Sequence, residues 1–201
     1  NYTQAAKDPT QLFPEKSKQA IDAADATLFG STSGHSTAAL FYLRWGKQTF
    51  ANVRPSQWVP GYASPMARPE GIDFVIVREN LEDLYLGLEG DLEDLAALNY
   101  YSRHARASLE DLGPGKYAIK AITERGSERV IRHSFELARR RDQKRKVTVT
   151  CKYNMLSTAD GLFLETAKRV ANDYPDITFE HFIVDDFLCR MIAPVSYTHL
   201  T

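Results

Sequence analysis

The sequence predicts an α/β protein, and three observations predict it. Short apolar runs of strand length alternate with amphipathic stretches of helix length along most of the chain. One run, IDFVIV at 72–77, has strand character throughout and ends abruptly in Arg78-Glu79-Asn80. Further on, KVTVTC (146–151), TADGLFLETAKRVA (158–171) and ITFEHFIV (177–184) follow one another as strand, helix and strand.

The elements follow in order. KSKQAIDAAD (16–25) reads as a helix, and ATLFG (26–30) as a short buried strand closed by Gly30. STSGHST (31–37) is a loop by composition, and AALFYLRWGKQTF (38–50) is helix-like with Leu40, Phe41 and Leu43 on one side. From 88 to 115 the pattern breaks into acidic, aromatic and glycine-containing pieces; LEDL recurs at 81–84, 92–95 and 109–112, but at unequal spacing, which argues against a structural repeat. SERVIRHSFELARRR (127–141) predicts a helix with Ser127 as N-cap. Val130, Ile131, Phe135 and Ala138 share its apolar face, and arginines in the last turn suit the negative end of the helix dipole. In 158–171, Leu162, Phe163, Ala167 and Val170 make the apolar stripe, and DDFLCRMI (185–192) opens another helix.

Composition narrows the classes. The chain has 201 residues, 43% hydrophobic and 25% charged, with a formal net charge of -1, so nothing draws it as a whole to nucleic acid or an anionic membrane. No apolar run approaches the roughly 18 residues of a membrane span, and no secretory signal opens the sequence. The basic run RRRDQKRK (139–146) lies between a helix and a strand, with no aromatic interleaved, and reads as a solvated turn, not a nucleic-acid surface. Cys151 and Cys189 stand in no metal-like spacing and read as two buried thiols of a reducing, cytoplasmic protein.

Three arginines stand out by placement: Arg44 in the helix-like stretch, Arg54 in FANVRP, and Arg78 at the strand end. A guanidinium presents a planar fork matched to carboxylates, so three that converge would hold a di- or tricarboxylic acid. Taken singly, each reads first as a surface or salt-bridging residue. Strand ends in α/β proteins are where ligands sit, which gives Arg78 and the tyrosine seven residues beyond it, Tyr85, a chemical interest of their own.

LRWGKQTFANVRP, GIDFVIVRENLEDLYLG and KVTVTCKYNMLSTADGLFLETAKRVA, in this order and spacing, resemble three signature segments of the isocitrate/isopropylmalate dehydrogenase family, the β-decarboxylating dehydrogenases of 2-hydroxy acids. The resemblance runs from about residue 14 to 194. It implies a partial isopropylmalate dehydrogenase-like fold: a mixed sheet, flanking helices and a protruding dimerisation arm at about 88–115. Residues 1–50 would be a remnant of the large cofactor-binding domain and 51–194 the small central domain for dimerisation and substrate. It implies that Arg44, Arg54 and Arg78 bind the malate-like carboxylates, that Tyr85 is the general acid, and that Lys152 is catalytic. Asn154 would lie near the nicotinamide, and Asp185, in IVDDF, would be the first of three aspartates around Mg²⁺ or Mn²⁺. The implied cofactor is NAD, with NADP the other choice, and the implied assembly is a homodimer in which Lys152 and Asp185 serve the partner's site.

The chain departs from the isocitrate-using pattern before Arg44. A serine six residues and an asparagine four residues ahead are replaced by Ala38 and Leu40, with Phe41 next, so an apolar substituent is expected at that position. Isopropylmalate is the favoured substrate; isocitrate, tartrate and malate are the alternatives. A non-catalytic regulatory subunit of the isocitrate dehydrogenase type is the competing class, and the joint presence of Tyr85 and Lys152 argues against it. The family's glycine-rich opening strand, later aspartate pair and adenosine loop are not matched, so a fragment is expected. Residues 195–201, VSYTHLT, continue no family pattern and are expected to be a non-native tail.

Overall fold

The computed structural model describes residues 13–30, 36–66 and 68–191. The chain divides into two compact units, Asn1–Phe50 and Ala51–Thr201.

In the first unit, α1 (Glu15–Asp22) starts immediately after Pro14, whose carbonyl accepts the amides of Ser17 and Lys18 at 2.9 and 3.2 Å. α2 (Thr37–Phe41) passes directly into a π-helical turn, Tyr42–Gly46. Gly46 is required there, because a Cβ would lie 2.9 Å from the Tyr42 ring. Tyr42 Oη donates to Asp22 Oδ1 at 2.6 Å, and Lys47 pairs with the same carboxylate. The expected strand at 26–30 does not form: Leu28 is fully exposed and Phe29 39% exposed. A strand needs a ladder partner, and none of the described residues supplies one to this segment. The loop expected at 31–37 falls partly outside the described residues, since only Ser36 and Thr37 are described, at the start of α2.

In the second unit, β1 (Ala51–Gln57) and β2 (Asp73–Glu79) form an antiparallel ladder with Asn52 opposite Arg78 and Arg54 opposite Ile76. Pro55 is tolerated because β1 has a ladder on one side only. A 3₁₀ turn, Leu84–Leu86, follows β2. Residues 89–118 then make an excursion of nested antiparallel pairs. Its outer pair is β3 (Glu89–Asp91) with β6 (Lys116–Ala118), and its inner pair is β4 (Tyr101–Ser102) with β5 (Ala107–Ser108). The long helix α3 (Glu124–Arg141) returns the chain to β7 (Lys146–Cys151), α4 (Ala159–Ala171), parallel β8 (Thr178–Ile183) and α5 (Val184–Met191).

The core lies where α3 and α4 cover β7 and β8. Val130, Ile131, Phe135 and Ala138 are all buried, as the helical spacing predicts, against Val147, Val149, Leu164, Ala167 and Val170. Phe135 has no exposed surface and stacks on Tyr174 with centroids 4.8 Å apart. The stripe of α4 is rotated from the expected one: Leu164 and Thr166 are buried, while Leu162 and Phe163 are only half-buried.

Four further expectations are corrected. One mixed sheet was expected, but the parallel and antiparallel pairings occur in separate two-stranded ladders. β2 and β7 approach through side chains, leaving an apolar cleft between Phe74–Val77 and Val147–Thr150 instead of shared backbone bonds. Ser127 is not the N-cap of α3: Thr123 caps it, accepting from the Gly126 amide at 3.0 Å, while Ser127 lies inside the first turn and donates to the Thr123 carbonyl at 2.7 Å. Cys189 is exposed and Cys151 half-buried, because α5 turns Cys189 outward together with Leu188. Finally, FANVRP carries Arg54 on a strand that alternation did not reveal.

The basic run is absorbed by acids. Arg139 and Arg145 reach Asp176, Arg141 reaches Asp73 at 2.6 Å, and Lys146 reaches Glu180 at 2.7 Å. Among the described residues no helix is long and apolar enough to cross a membrane.

Candidate active site

Ladder register brings Arg54 and Arg78 to one face of the β1–β2 hairpin. Asn52 and Arg54 point the same way along β1, and their partners Arg78 and Ile76 point with them. Val75, on the opposite face, is buried, and Ile76, on the arginine face, is 48% exposed. Arg54 Nε donates to Asn52 Oδ1 at 3.0 Å, which holds its fork along the strand.

Arg78 and Tyr85 meet directly. Arg78 Nη1 donates to the Tyr85 hydroxyl at 3.0 Å, Nη2 to Asn80 Oδ1 at 3.3 Å, and the guanidinium carbon lies 4.7 Å from the tyrosine ring centroid. As acceptor of that bond, the phenol keeps its own proton to donate. Tyr85 is 48% exposed, a position open to a ligand.

The turn that carries Tyr85 is fixed by the residues before it. Leu81 is buried, and the Glu82 carboxylate holds Thr123, the N-cap of α3, accepting its amide at 2.9 Å and its hydroxyl at 2.5 Å. Asp83 is held at φ 66°, unusual for a side chain other than glycine, by a backbone bond to Ala121 and by its carboxylate on the Leu84 amide at 2.7 Å. These contacts define what REN-LEDLY does.

Lys152 and Asp185 form a second pair: the ammonium of Lys152, just past β7, donates to the Asp185 carboxylate in the first turn of α5. Asn154 follows in the exposed turn after Lys152. Asp185 is exposed and suits Mg²⁺ or Mn²⁺ as one hard oxygen ligand. Among the described residues no group of three metal-capable side chains forms.

Arg44 and Leu40 belong to the first unit. Arg44 lies in the π-helical turn with its guanidinium carbon 5.3 Å from the Trp45 ring centroid, and such turns are frequent at functional sites. Leu40, on α2, is 36% exposed, with Ala38 and Phe41 half-buried beside it.

The family profile described as isocitrate/isopropylmalate dehydrogenase matches residues 2–197. The chain belongs to this family. The 3-isopropylmalate dehydrogenase of Archaeoglobus fulgidus is 34% identical over 175 residues, covering 87% of this chain and 46% of that protein. Subunit 2 of the mitochondrial NAD isocitrate dehydrogenase of Schizosaccharomyces pombe is 34% identical over 201 residues, covering 99% and 46%. A crystal structure of isocitrate dehydrogenase from Methylococcus capsulatus superposes with a TM-score of 0.67 at 28% identity, covering 98% of this chain and 54% of that one. The chain thus spans about half the length of the relatives it matches.

Sequence reasoning missed Glu82, Asp83, Lys120 and Asp160. One signal was available for Asp160: it is an acid in the opening turn of a helix, three residues before α4's first half-buried phenylalanine. Nothing in the sequence flagged Lys120, whose partners are 37 and 40 residues away.

Proposed function

We propose that the full-length protein containing this chain is an NAD- or NADP-dependent oxidative decarboxylase of a 2-hydroxy acid, with isopropylmalate the favoured substrate. The observation that carries this reading is the Arg78–Tyr85 pair, a carboxylate fork bonded to a proton donor at the open face of a strand end. A plain surface arginine has no need of that partner, and a ligand-binding regulatory subunit has no need of the acid.

Arg54 and Arg78 hold carboxylates from the hairpin, and Arg44 adds a third cation from its own turn. Bound nicotinamide would take up hydride from the carbinol carbon, while bound Mg²⁺ or Mn²⁺ would draw charge from the hydroxyl oxygen. Lys152, once its amine is free, would take the hydroxyl proton, and its contact with Asp185 sets it beside a residue that would hold the metal; Asn154 would lie next to the nicotinamide. When CO₂ leaves, its bonding pair stays on the neighbouring carbon, and Tyr85 delivers a proton there. Leu40, with Ala38 and Phe41, faces the substituent that differs between acids, and an apolar wall there does not compensate the desolvation of a third carboxylate. Isocitrate, tartrate and malate are the competing substrates.

The protein works as a cytoplasmic homodimer. The 89–118 excursion, with Leu98, Tyr100 and Tyr101 exposed, is the arm that pairs, and Lys152 and Asp185 act in the partner's site. The 201-residue chain by itself has no turnover, since a lone metal carboxylate binds Mg²⁺ weakly.

The test is Tyr85→Phe in the full-length protein. It keeps the ring and removes the proton, so kcat should fall by about a hundredfold or more with KM little changed. Normal kcat in that variant removes Tyr85 from the mechanism.

A further inference from the structure

Lys120 lies between two carboxylates that belong to the two halves of the site. Its ammonium is 2.5 Å from Asp160 Oδ1 and 3.5 Å from Asp83 Oδ2. Asp83 is the positive-φ residue that sets the turn bearing Tyr85, and its backbone amide bonds Ala121, the neighbour of Lys120. Asp160 Oδ2 accepts the Lys152 backbone amide at 2.7 Å, where the chain leaves β7. One cation therefore joins the Tyr85 turn to the Lys152 turn within a single chain.

Burial shows that this is a built contact. The Asp160 side chain is 4% exposed, and a buried carboxylate is tolerated only when its oxygens are satisfied; here one takes Lys120 and the other the Lys152 amide. Lys120 is three-quarters buried at 25% exposure, while Asp83 is more open at 42%. Burial works against the Lys120 charge, yet Asp160 and Asp83 together hold its pKa above the usual lysine value. The ammonium is thus a permanent cation and takes no part in proton transfer near neutral pH.

We propose that Lys120 is a positioning residue that ties the general-acid turn to the lysine turn, so that displacement of one is felt by the other. This rests on the proposed function for the roles of Tyr85 and Lys152. If Lys152 serves the partner's site, the same cation also links the two sites of a dimer.

The experiment compares Lys120→Met, Lys120→Arg and Asp83→Asn in the full-length protein by amide hydrogen exchange and by steady-state kinetics. In Lys120→Met, the amides of Lys152 and Asp83 should both exchange faster, by about tenfold or more, while those of Phe135 and Val147 in the core keep their protection. Lys120→Arg should restore most of the protection. Asp83→Asn uncovers no buried charge and should speed exchange at Asp83 in the same direction, which keeps the test decisive if Lys120→Met fails to fold. Kinetically, Lys120→Met should lower kcat by on the order of ten- to a hundredfold with KM nearly constant. In a Tyr85→Phe background that loss should shrink to about twofold or less, because residues acting as one unit are not additive. Unchanged exchange at both amides, or an equal kcat loss in both backgrounds, overturns the proposal. A wild-type protein that turns over no hydroxy acid would count against the proposed function and leave the exchange result to decide the role of Lys120.

Discussion

At the scale of single residues, the site is a set of short contacts whose loss has distinct signatures. Arg78 is bidentate in the structure, one nitrogen on Tyr85 and another on Asn80. Arg78→Lys replaces that fork with a point charge, so KM for the acid should rise by about tenfold or more while folding is unaffected. Steady-state kinetics and a melting curve check both halves, and an unchanged KM means Arg78 does not clamp a carboxylate. Glu82 tests the support below. A methyl on Gly126 would lie 2.3 Å from the Glu82 carboxyl carbon, so the glycine leaves the room through which Glu82 reaches Thr123. Glu82→Ala should cost about 1–2 kcal/mol by chemical denaturation, the cost of a lost helix cap, and should lower kcat by loosening the Tyr85 turn. The sequence makes Arg78 and Tyr85 legible because matched spacing marks them. Glu82, Asp83, Lys120 and Asp160 are illegible because their partners are distant in sequence and their side chains fit no motif.

At the scale of elements, periodicity is read well wherever one face is buried on a partner within the chain. All four residues predicted for the apolar face of α3 are buried, and the strand–helix–strand order from 146 to 184 is observed as β7, α4 and β8. Phe135→Ala removes the stacked ring at the centre of that layer and should destabilise by about 3–5 kcal/mol in a denaturant titration. A value below about 1 kcal/mol would place the core elsewhere. ATLFG failed as a strand because apolar composition does not make a ladder without a partner, and FANVRP was missed because proline and arginine hide alternation. The tie between the end of α3 and the start of β2 has a pH signature. Arg141 and Gln143 hold the Asp73 carboxyl below its ordinary value of 3.8. A depressed carboxyl adds stability above its unfolded value, and that contribution is lost as pH falls through the lower folded value. Asp73→Asn should therefore lower the melting temperature at pH 7, for a cost of about 1 kcal/mol, and the gap to wild type should close below pH 3.8. A gap that persists in acid would mean that the aspartate acts through packing.

At the scale of the whole molecule, the family is carried by the order of three segments along the chain, and the profile match over residues 2–197 agrees with it. The substrate is less legible: the relatives include both isopropylmalate and isocitrate dehydrogenases, and the choice rests on a few apolar side chains of α2. The proposed reaction is oxidation coupled to loss of CO₂. The full-length protein, supplied with Mg²⁺ or Mn²⁺ and NAD or NADP, should be given isopropylmalate, isocitrate, tartrate and malate in turn, with reduced cofactor and released CO₂ measured together. Equimolar reduced cofactor and CO₂ are expected from at least one acid, with isopropylmalate favoured over isocitrate by about tenfold or more. No reduced cofactor from any of the acids, or reduction without release of CO₂, would contradict the proposed reaction.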